Sequence, residues 1–174
     1  ELKTLKNQTV FFSDDNIYGS SLADKTRFKT LCNEIIINRL NLTWIGFSTI
    51  NIAKDKDCLN LTALSGGKLL MIGFESEDEN ILKTINKKIN LKYDISELRK
   101  LVRIIHSYHI GVIGGFIYGF DSDDQIRISR RRKFIKSLKP DVVSFVPLTP
   151  FPKTNLFNRL LKENRLLYIN YPED

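Results

Sequence analysis

Two adjacent carboxylates follow a short apolar run near the start of the chain, in the segment VFFSDDN (residues 10–16). Side chains alternate between the two faces of a strand, so Asp14 and Asp15 cannot point the same way unless the strand has already ended. One acid can then face a ligand while the other braces a loop or caps a helix. The alternative, that both are solvated loop residues, stays open on the sequence alone.

Polar residues follow four further apolar runs in the same way. They are Ser48, Thr49 and Asn51 after the second run, Glu75 and Ser76 after the third, Gly119 and Asp121 after the fourth, and Thr149 and Pro150 after the fifth. Parallel α/β folds bind ligands at the carboxyl ends of their strands. Glycines in or beside these runs indicate close approach of a ligand or tight packing inside a barrel. The sequence therefore predicts a binding edge built from the strand ends.

The elements that must position these residues alternate along the chain. Strands are predicted at 10–13, 43–48, 69–74, 112–118 and 142–147, and helices at 22–40, 55–64, 77–85, 94–108, 123–138 and 155–162. This order predicts right-handed βαβ crossovers and a parallel sheet whose strands are apolar on both faces. Ser96 is the expected cap of the fourth helix. Because no linker interrupts the pattern, we expect a single domain over residues 1–174.

The bulk composition excludes several classes of protein. The chain has 174 residues, a net charge of +7 and no apolar run long enough for a membrane span. No signal peptide is visible in its first residues. Cys32 and Cys58 lack a nearby Cys or His partner, which favours a protein of the reducing cytoplasm. Two cysteines at this spacing cannot form a zinc site or hold an iron–sulfur cluster alone. Lys, Asn and Ile are abundant, so we interpret the charge as surface lysine and do not expect a nucleic-acid partner.

Five motifs follow one another in an order and spacing that together resemble a known superfamily. They are FFSDDN, WIGFSTINIA, IGFESEDENILKTINKKIN, IGVIGGFIYGFDSD and PLTPFPKTNLF. The chain resembles the radical S-adenosylmethionine superfamily, and most closely its branch with an N-terminal cobalamin-binding domain. The resemblance runs from about residue 10 to 167. It implies an α/β fold, a partial (β/α) TIM-like barrel of about five parallel strands that is a fragment of the superfamily's six-stranded barrel.

The resemblance also implies a chemistry. In the superfamily a 4Fe-4S cluster lies beside the first barrel strand on three cysteines spaced C-x-x-x-C-x-x-C, and it binds the amino and carboxylate groups of S-adenosylmethionine. Reductive cleavage gives a 5′-deoxyadenosyl radical, which abstracts hydrogen from the substrate. The branch methylates, methylthiolates and rearranges very different molecules, so the resemblance implies a small-molecule or unknown substrate and does not name it. An electron donor for the cluster is the implied partner, and an upstream domain would bind cobalamin.

The resemblance assigns cofactor-binding residues to the strand ends. They are Asp14, Asp15, Ser48, Glu75, Ser76, Lys87, Ile117 and Val146. Asp14 or Asp15 would accept hydrogen bonds from the methionine ammonium, and Glu75 would contact the ribose or the methionine moiety. Lys87 falls where relatives often carry an arginine that meets the cofactor carboxylate. Ile117 and Val146 would pack around the adenine. A solvated helix end for Lys87 and plain core packing for Ile117 and Val146 remain the alternatives.

The chain also departs from the superfamily pattern. It contains no C-x-x-x-C-x-x-C, so we expect the first strand, the cluster loop and any cobalamin domain to lie upstream or to be lost. The chain alone should then bind no iron. Lys153 in PFPKT replaces a glycine common in relatives, which puts the local turn in doubt. Two other functions stay open: an inactive remnant, and a non-catalytic module, for instance an RNA-binding one, on the same scaffold.

Three further features have ordinary interpretations. His106 and His109 lie near the end of a predicted helix, where an interaction with the helix C-terminus is expected rather than metal binding. The basic run RRRK (residues 130–133) is expected on a solvated outer helix face. Trp44 opens a predicted strand and is expected in the core.

Overall fold

The computed structural model describes residues 4–19 and 21–167, which form one parallel sheet covered by helices. The strands are β1 (Thr9–Phe12), β2 (Thr43–Ser48), β3 (Gly67–Glu75), β4 (Gly111–Tyr118) and β5 (Val142–Pro147). They are parallel and lie in the order β1-β2-β3-β4-β5, so each strand pairs with its neighbour in the chain. The sheet curls into a half-barrel, which confirms the predicted fold class.

Six helices of the described part of the chain connect and flank these strands. They are α1 (Leu22–Ile37), α2 (Lys56–Leu64), α3 (Glu79–Thr84), α4 (Ile95–Ser107), α5 (Gln125–Leu138) and α6 (Asn155–Lys162), with short 3-10 turns at Ile50–Lys54 and Asn90–Lys92. The prediction that Ser96 caps α4 is wrong. Asp94 is the cap, because its carboxylate accepts from the Glu97 backbone while the Glu97 carboxylate accepts from the Asp94 backbone.

The two faces of the sheet differ in what covers them. Along β3, Leu70, Ile72 and Phe74 are buried against the helices, whereas the alternate residues stay half-buried. The same alternation along β4 makes the opposite face the concave inner face of the half-barrel. Helices therefore cover the outer face of the sheet, and the curl turns the other face inward, as in a barrel. That inner face remains open to a ligand.

The fold gives the surroundings of three residues that were singled out in the sequence. Trp44 is buried and its indole N–H donates to Ser65 Oγ at 3.1 Å, which confirms its place in the core. His106 lies near the end of α4, but its Nε2 contacts the Asp141 carboxylate at 2.9 Å. The turn at Lys153 is formed with a left-handed backbone, φ 67°, the conformation for which glycine is usually chosen. In the described part of the chain no helix is long and apolar enough to cross a bilayer.

Candidate functional site

Two glycines form a flat floor on the concave face of the sheet. Gly73 of β3 pairs in register with Gly115 of β4. A Cβ placed on Gly115 would meet only the Gly73 Cα at 3.6 Å and the Ile72 carbonyl oxygen at 3.7 Å, which is ordinary contact distance. At Gly115 the backbone is therefore uncovered where any other residue would project a side chain. A planar group can approach the sheet closely at this point.

An ion pair lies directly on this floor. Lys87 Nζ is 2.7 Å from Glu75 Oε1, and the Glu75 side chain is only 15% exposed. A Cβ on Gly73 would collide with Glu75 Oε1 and would come within 2.9 Å of Lys87 Nζ. The glycine therefore makes room for the pair. The structure thus brings together two of the residues that the sequence selected, and it gives the site one carboxylate and one ammonium.

The carboxylate reaches this position through an unusual backbone turn. Glu75 has φ 63°, and Ser76 N donates to the Phe74 carbonyl at 2.8 Å, which closes a three-residue γ-turn. The form with positive φ is rare and strained for a residue with a side chain. The register of β3 with β4 also shifts between Gly73 and Glu75. The end of β3 is therefore bent to place one side chain.

Ser76 points into the protein instead of joining that pair. It is buried, it accepts from the Asp78 backbone N–H at 3.1 Å, and it contacts Arg131 Nη2 at 3.3 Å. Ser48, at the end of β2, is also buried and donates to the Thr49 carbonyl. Both serines lie at the predicted edge, and the partners observed for them are groups of the protein itself.

Arg131 is the residue that the sequence pattern concealed. The prediction of a solvated basic run is wrong for this member, because its side chain is fully buried. Its guanidinium donates to Glu77, to Asp123 and to the Ile117 carbonyl, and it lies 4.9 Å from the Tyr118 ring centroid. We call Arg131, Glu77 and Asp123 the arginine clamp. It joins the end of β3, the end of β4 and α5.

The clamp holds one of its acids in the charged form. Burial alone would raise the pKa of Asp123, but hydrogen bonds from Arg131 and from the backbone N–H groups of Gly119 and Phe120 outweigh it and lower the pKa. A carboxylate with this many donors is strongly favoured in its ionised state. The loop between β4 and α5 is therefore fixed next to the binding edge.

Asp14 and Asp15 both lie beyond the last residue of β1, so strand alternation does not govern them. Asp14 pairs with Arg27 of α1 at 3.2 Å on the surface. Asp15 is exposed and has no ion-pair partner within residues 4–19 and 21–167. The adjacent Asn16 carries a buried side-chain oxygen that also lacks a hydrogen-bond donor in the described structure. Among the described residues, Asp15 is therefore an accessible carboxylate without an ion-pair partner, whereas the Asn16 oxygen is closed to solvent.

An apolar wall completes the concave face. Ile117 of β4 and Val146 of β5 are register partners, and Ile117 shares the face of Gly115 by strand alternation. Ile117 is half-buried, and Val146 is 47% exposed. The two side chains that the resemblance assigns to the adenine are therefore neighbours, and both are accessible.

A cleft of about 670 Å³ opens at the rim of the half-barrel, outside the predicted residue set. Its apolar lining includes Ile81, Phe120 and Leu156, so it lies between α3, the loop after β4 and α6. Asp121 also lines it, and hydrogen bonds from Arg165 and Arg159 lower the pKa of this carboxyl. The cleft adds an apolar chamber at the ligand edge of the sheet.

No cluster of three or more potential metal ligands occurs among residues 4–19 and 21–167. Cys32 and Cys58 are buried free thiols. Burial raises the pKa of Cys32 to about 11. Burial, with the nearby Asp55 carboxylate, raises the pKa of Cys58 to about 12. Both groups are therefore neutral thiols at pH 7 in this fold.

No protein-family model matches the chain, but individual sequences do. It is 31% identical over 160 residues to a hopanoid C-2 methylase of Rhodopseudomonas palustris, which covers 92% of the chain and 30% of that protein. It is 31% identical over 122 residues to bacteriochlorophyllide d C-12(1)-methyltransferase of Chlorobaculum tepidum, which covers 70% of the chain and 26% of that protein. The chain thus spans less than a third of these relatives.

Solved structures reproduce the fold. The radical S-adenosylmethionine methyltransferase TsrM of Kitasatospora setae, solved with cobalamin and a cluster, superposes with a TM-score of 0.72 at 16% identity, over 89% of this chain and 30% of that one. The cobalamin-dependent S-adenosylmethionine radical enzyme OxsB superposes with a TM-score of 0.61 at 15% identity, over 92% of this chain and 23% of that one. Sequence and fold agree with the motif resemblance, and the chain belongs to the radical S-adenosylmethionine superfamily.

Proposed function

We propose that this chain forms the cofactor-binding face of a radical S-adenosylmethionine enzyme that catalyses a methylation. The observation that carries the proposal is the Glu75–Lys87 pair lying on the glycine floor of the concave face. S-adenosylmethionine combines a carboxylate, an ammonium, a ribose and a planar adenine. The concave face offers a lysine, a carboxylate, an uncovered backbone at Gly115 and an apolar wall.

Each group of the cofactor has a partner of matching chemistry. Lys87 suits the cofactor carboxylate as a point charge, although it lacks the planar fork of an arginine. Glu75 accepts hydrogen bonds from hydroxyl or ammonium groups, and those bonds are strong because the acceptor is charged. Ile117 and Val146 provide the apolar surface for the adenine ring. The pair observed between Glu75 and Lys87 keeps both charges satisfied before the cofactor arrives.

The loop after β1 supplies the partner for the methionine ammonium. Arg27 already neutralises Asp14, so Asp15 is the carboxylate that remains for a ligand. A free carboxylate attracts an ammonium and repels an anion, so this loop suits the methionine ammonium better than an anionic group.

The proposed enzyme needs groups beyond these residues. A 4Fe-4S cluster, when bound, would supply the electron that cleaves the cofactor to a radical, and cobalamin would carry the methyl group. This chain's residues bind and orient the cofactor, exclude water from the apolar wall and leave the rim cleft for the substrate. Methylation is preferred as the reaction class because two relatives at 31% identity are named as a methylase and a methyltransferase.

The test is cofactor affinity in the complete protein with its cluster reconstituted. Glu75→Gln and Lys87→Met should each weaken S-adenosylmethionine binding about tenfold, since each removes one charge-assisted interaction worth about 1.5 kcal/mol. The matched controls are Glu79→Gln and Lys88→Met, which change the same charges on exposed residues of the same segment. Isothermal titration measures the four dissociation constants. Unchanged affinity in both site variants would refute the proposed site.

A further inference from the structure

Asn90 connects the two members of the ion pair, although it belongs to neither. It begins the 3-10 turn Asn90–Lys92, and it is 4% exposed. Its side-chain amide donates to the Gly73 carbonyl at 3.0 Å and to the Phe74 carbonyl at 2.8 Å. Its backbone N–H donates to the Lys87 carbonyl at 3.2 Å. One buried residue therefore holds the backbone beneath Glu75 and the backbone that carries Lys87.

The two side-chain bonds fall on the strained part of β3. The Phe74 carbonyl is the same group that accepts from Ser76 to close the γ-turn around Glu75. A positive φ at a glutamate costs free energy, so this backbone conformation persists only where surrounding contacts hold it in place. Asn90 satisfies the carbonyls on one side of the turn, and Arg131 contacts Ser76 on the other. The turn is thus fixed from both sides by buried polar groups.

From this geometry we infer that Asn90 is a positioning residue, which holds Glu75 in its strained turn so that the carboxylate lies over Gly73 and against Lys87. The inference rests on the proposed cofactor site for its consequence in binding. The hydrogen bonds described for Asn90 all go to backbone groups, and none goes to the Glu75 carboxylate or the Lys87 ammonium. Its effect on the cofactor therefore passes through Glu75, and removing the Glu75 carboxylate should abolish that effect.

A double-mutant cycle on cofactor affinity tests this dependence in the complete, cluster-loaded protein. Asn90→Ala should weaken S-adenosylmethionine binding at least fivefold in the wild-type background. In the Glu75→Gln background the same change should weaken it less than twofold, because the carboxylate that Asn90 positions is already gone. Thr62→Val is the control: it removes a buried side-chain hydrogen bond on α2 and should leave affinity unchanged.

Each result of this cycle decides a different point. If Glu75→Gln weakens binding and Asn90→Ala does not, the positioning role is wrong while the proposed site stands. If the two losses simply multiply, Asn90 acts independently of Glu75 and the inference is again overturned. If Glu75→Gln leaves binding unchanged, the proposed site fails. The positioning role of Asn90 is then decided by thermal unfolding alone.

The second measurement is thermal unfolding of the same protein without cluster or cofactor. Asn90→Ala should lower the melting temperature by about 3–8 °C in the wild-type background. In the Glu75→Gly background the shift should be at most half as large, because glycine adopts positive φ without strain and no longer needs to be held. Equal shifts in the two backgrounds would show that Asn90 does not restrain the turn.

Discussion

At the scale of single residues, the two acids after β1 have different surroundings although they are adjacent. Asp14 is bound to Arg27 across the surface, and Asp15 remains available. An exposed ion pair contributes at most about 1 kcal/mol to stability, so Asp14 steadies the start of α1 only modestly. The adjacent carboxylates are thus explained by separate roles, one in the loop and one proposed for the ligand.

We predict that Asp15→Asn weakens S-adenosylmethionine binding about tenfold in the complete enzyme, because an amide cannot neutralise the ammonium. Formation of 5′-deoxyadenosine without substrate should fall as well. Asp14→Asn is the matched variant, and it should leave affinity within about twofold, since Asp14 contributes only a surface ion pair. Titration and product analysis compare the two. Equal affinity in both variants and the wild type would mean that the carboxylates are only loop residues.

At the scale of elements, the arginine clamp fixes the strand ends relative to one another. Glu77 follows β3, Asp123 follows β4, and Arg131 belongs to α5. Because the guanidinium is fully buried, losing one acid leaves a charge that water cannot reach. The clamp therefore determines how the loops above the glycine floor are arranged.

We predict that Asp123→Asn lowers the free energy of unfolding by about 3 kcal/mol at pH 7, the cost typical of breaking a buried ion pair. Asp57→Asn, which removes a carboxylate whose side chain is 82% exposed, should cost less than about 0.5 kcal/mol. Urea unfolding monitored by circular dichroism measures both. A loss for Asp123→Asn no larger than for Asp57→Asn would contradict the structural role of the clamp.

The same carboxyl gives a pH dependence of known sign. The pKa of Asp123 is lowered in the folded protein, so its contribution is complete above the unfolded-state value of about 4 and is lost as pH falls through the lower folded value. The wild type should therefore lose stability relative to Asp123→Asn as the pH drops below about 4. Parallel stability curves for the two proteins in that range would show that Asp123 is not held ionised.

Sequence patterns were sufficient for the elements because each strand is a short apolar run bounded by glycine or polar residues. All five strands and six helices were placed within a few residues of their observed ends. The clamp could not be found in this way. Arg131 stands in a basic run, and its partner Glu77 is 54 positions away, so only the fold reveals that the side chain is buried. The left-handed turn at Glu75 has no local signal either, since it depends on Asn90 and Arg131.

At the scale of the whole molecule, the half-barrel has two open edges. Within residues 4–19 and 21–167, β1 pairs only with β2, and β5 pairs only with β4. Phe11 on the first edge strand is 52% exposed, and Phe145 on the second is 59% exposed. Unpaired strand edges with exposed apolar side chains favour pairing with another chain. The isolated chain therefore has two surfaces that can drive self-association.

We predict that the isolated chain self-associates at concentrations of tens of micromolar, as exposed edge strands generally do. Phe11→Lys should shift it toward monomer, because a charge on an edge strand opposes pairing. Phe145→Lys makes the same change at the other edge, and comparing the two shows which edge is responsible. Analytical ultracentrifugation over a concentration series measures the association. A wild-type chain that stays monomeric throughout would show that its edges are protected.

The order of the strands in the sheet also has a kinetic consequence. Because β1 to β5 lie side by side in the order of the chain, every pairing joins segments that are separated by a single crossover. Each pairing therefore closes a loop of one crossover, such as the one between Thr9 and Thr43, and no strand pairing has to close a loop that spans the whole sheet. A ribosome releases the strands in this same order. Each βα unit can dock onto the strand synthesised just before it, and the glycine floor between β3 and β4 is complete before β5 is translated.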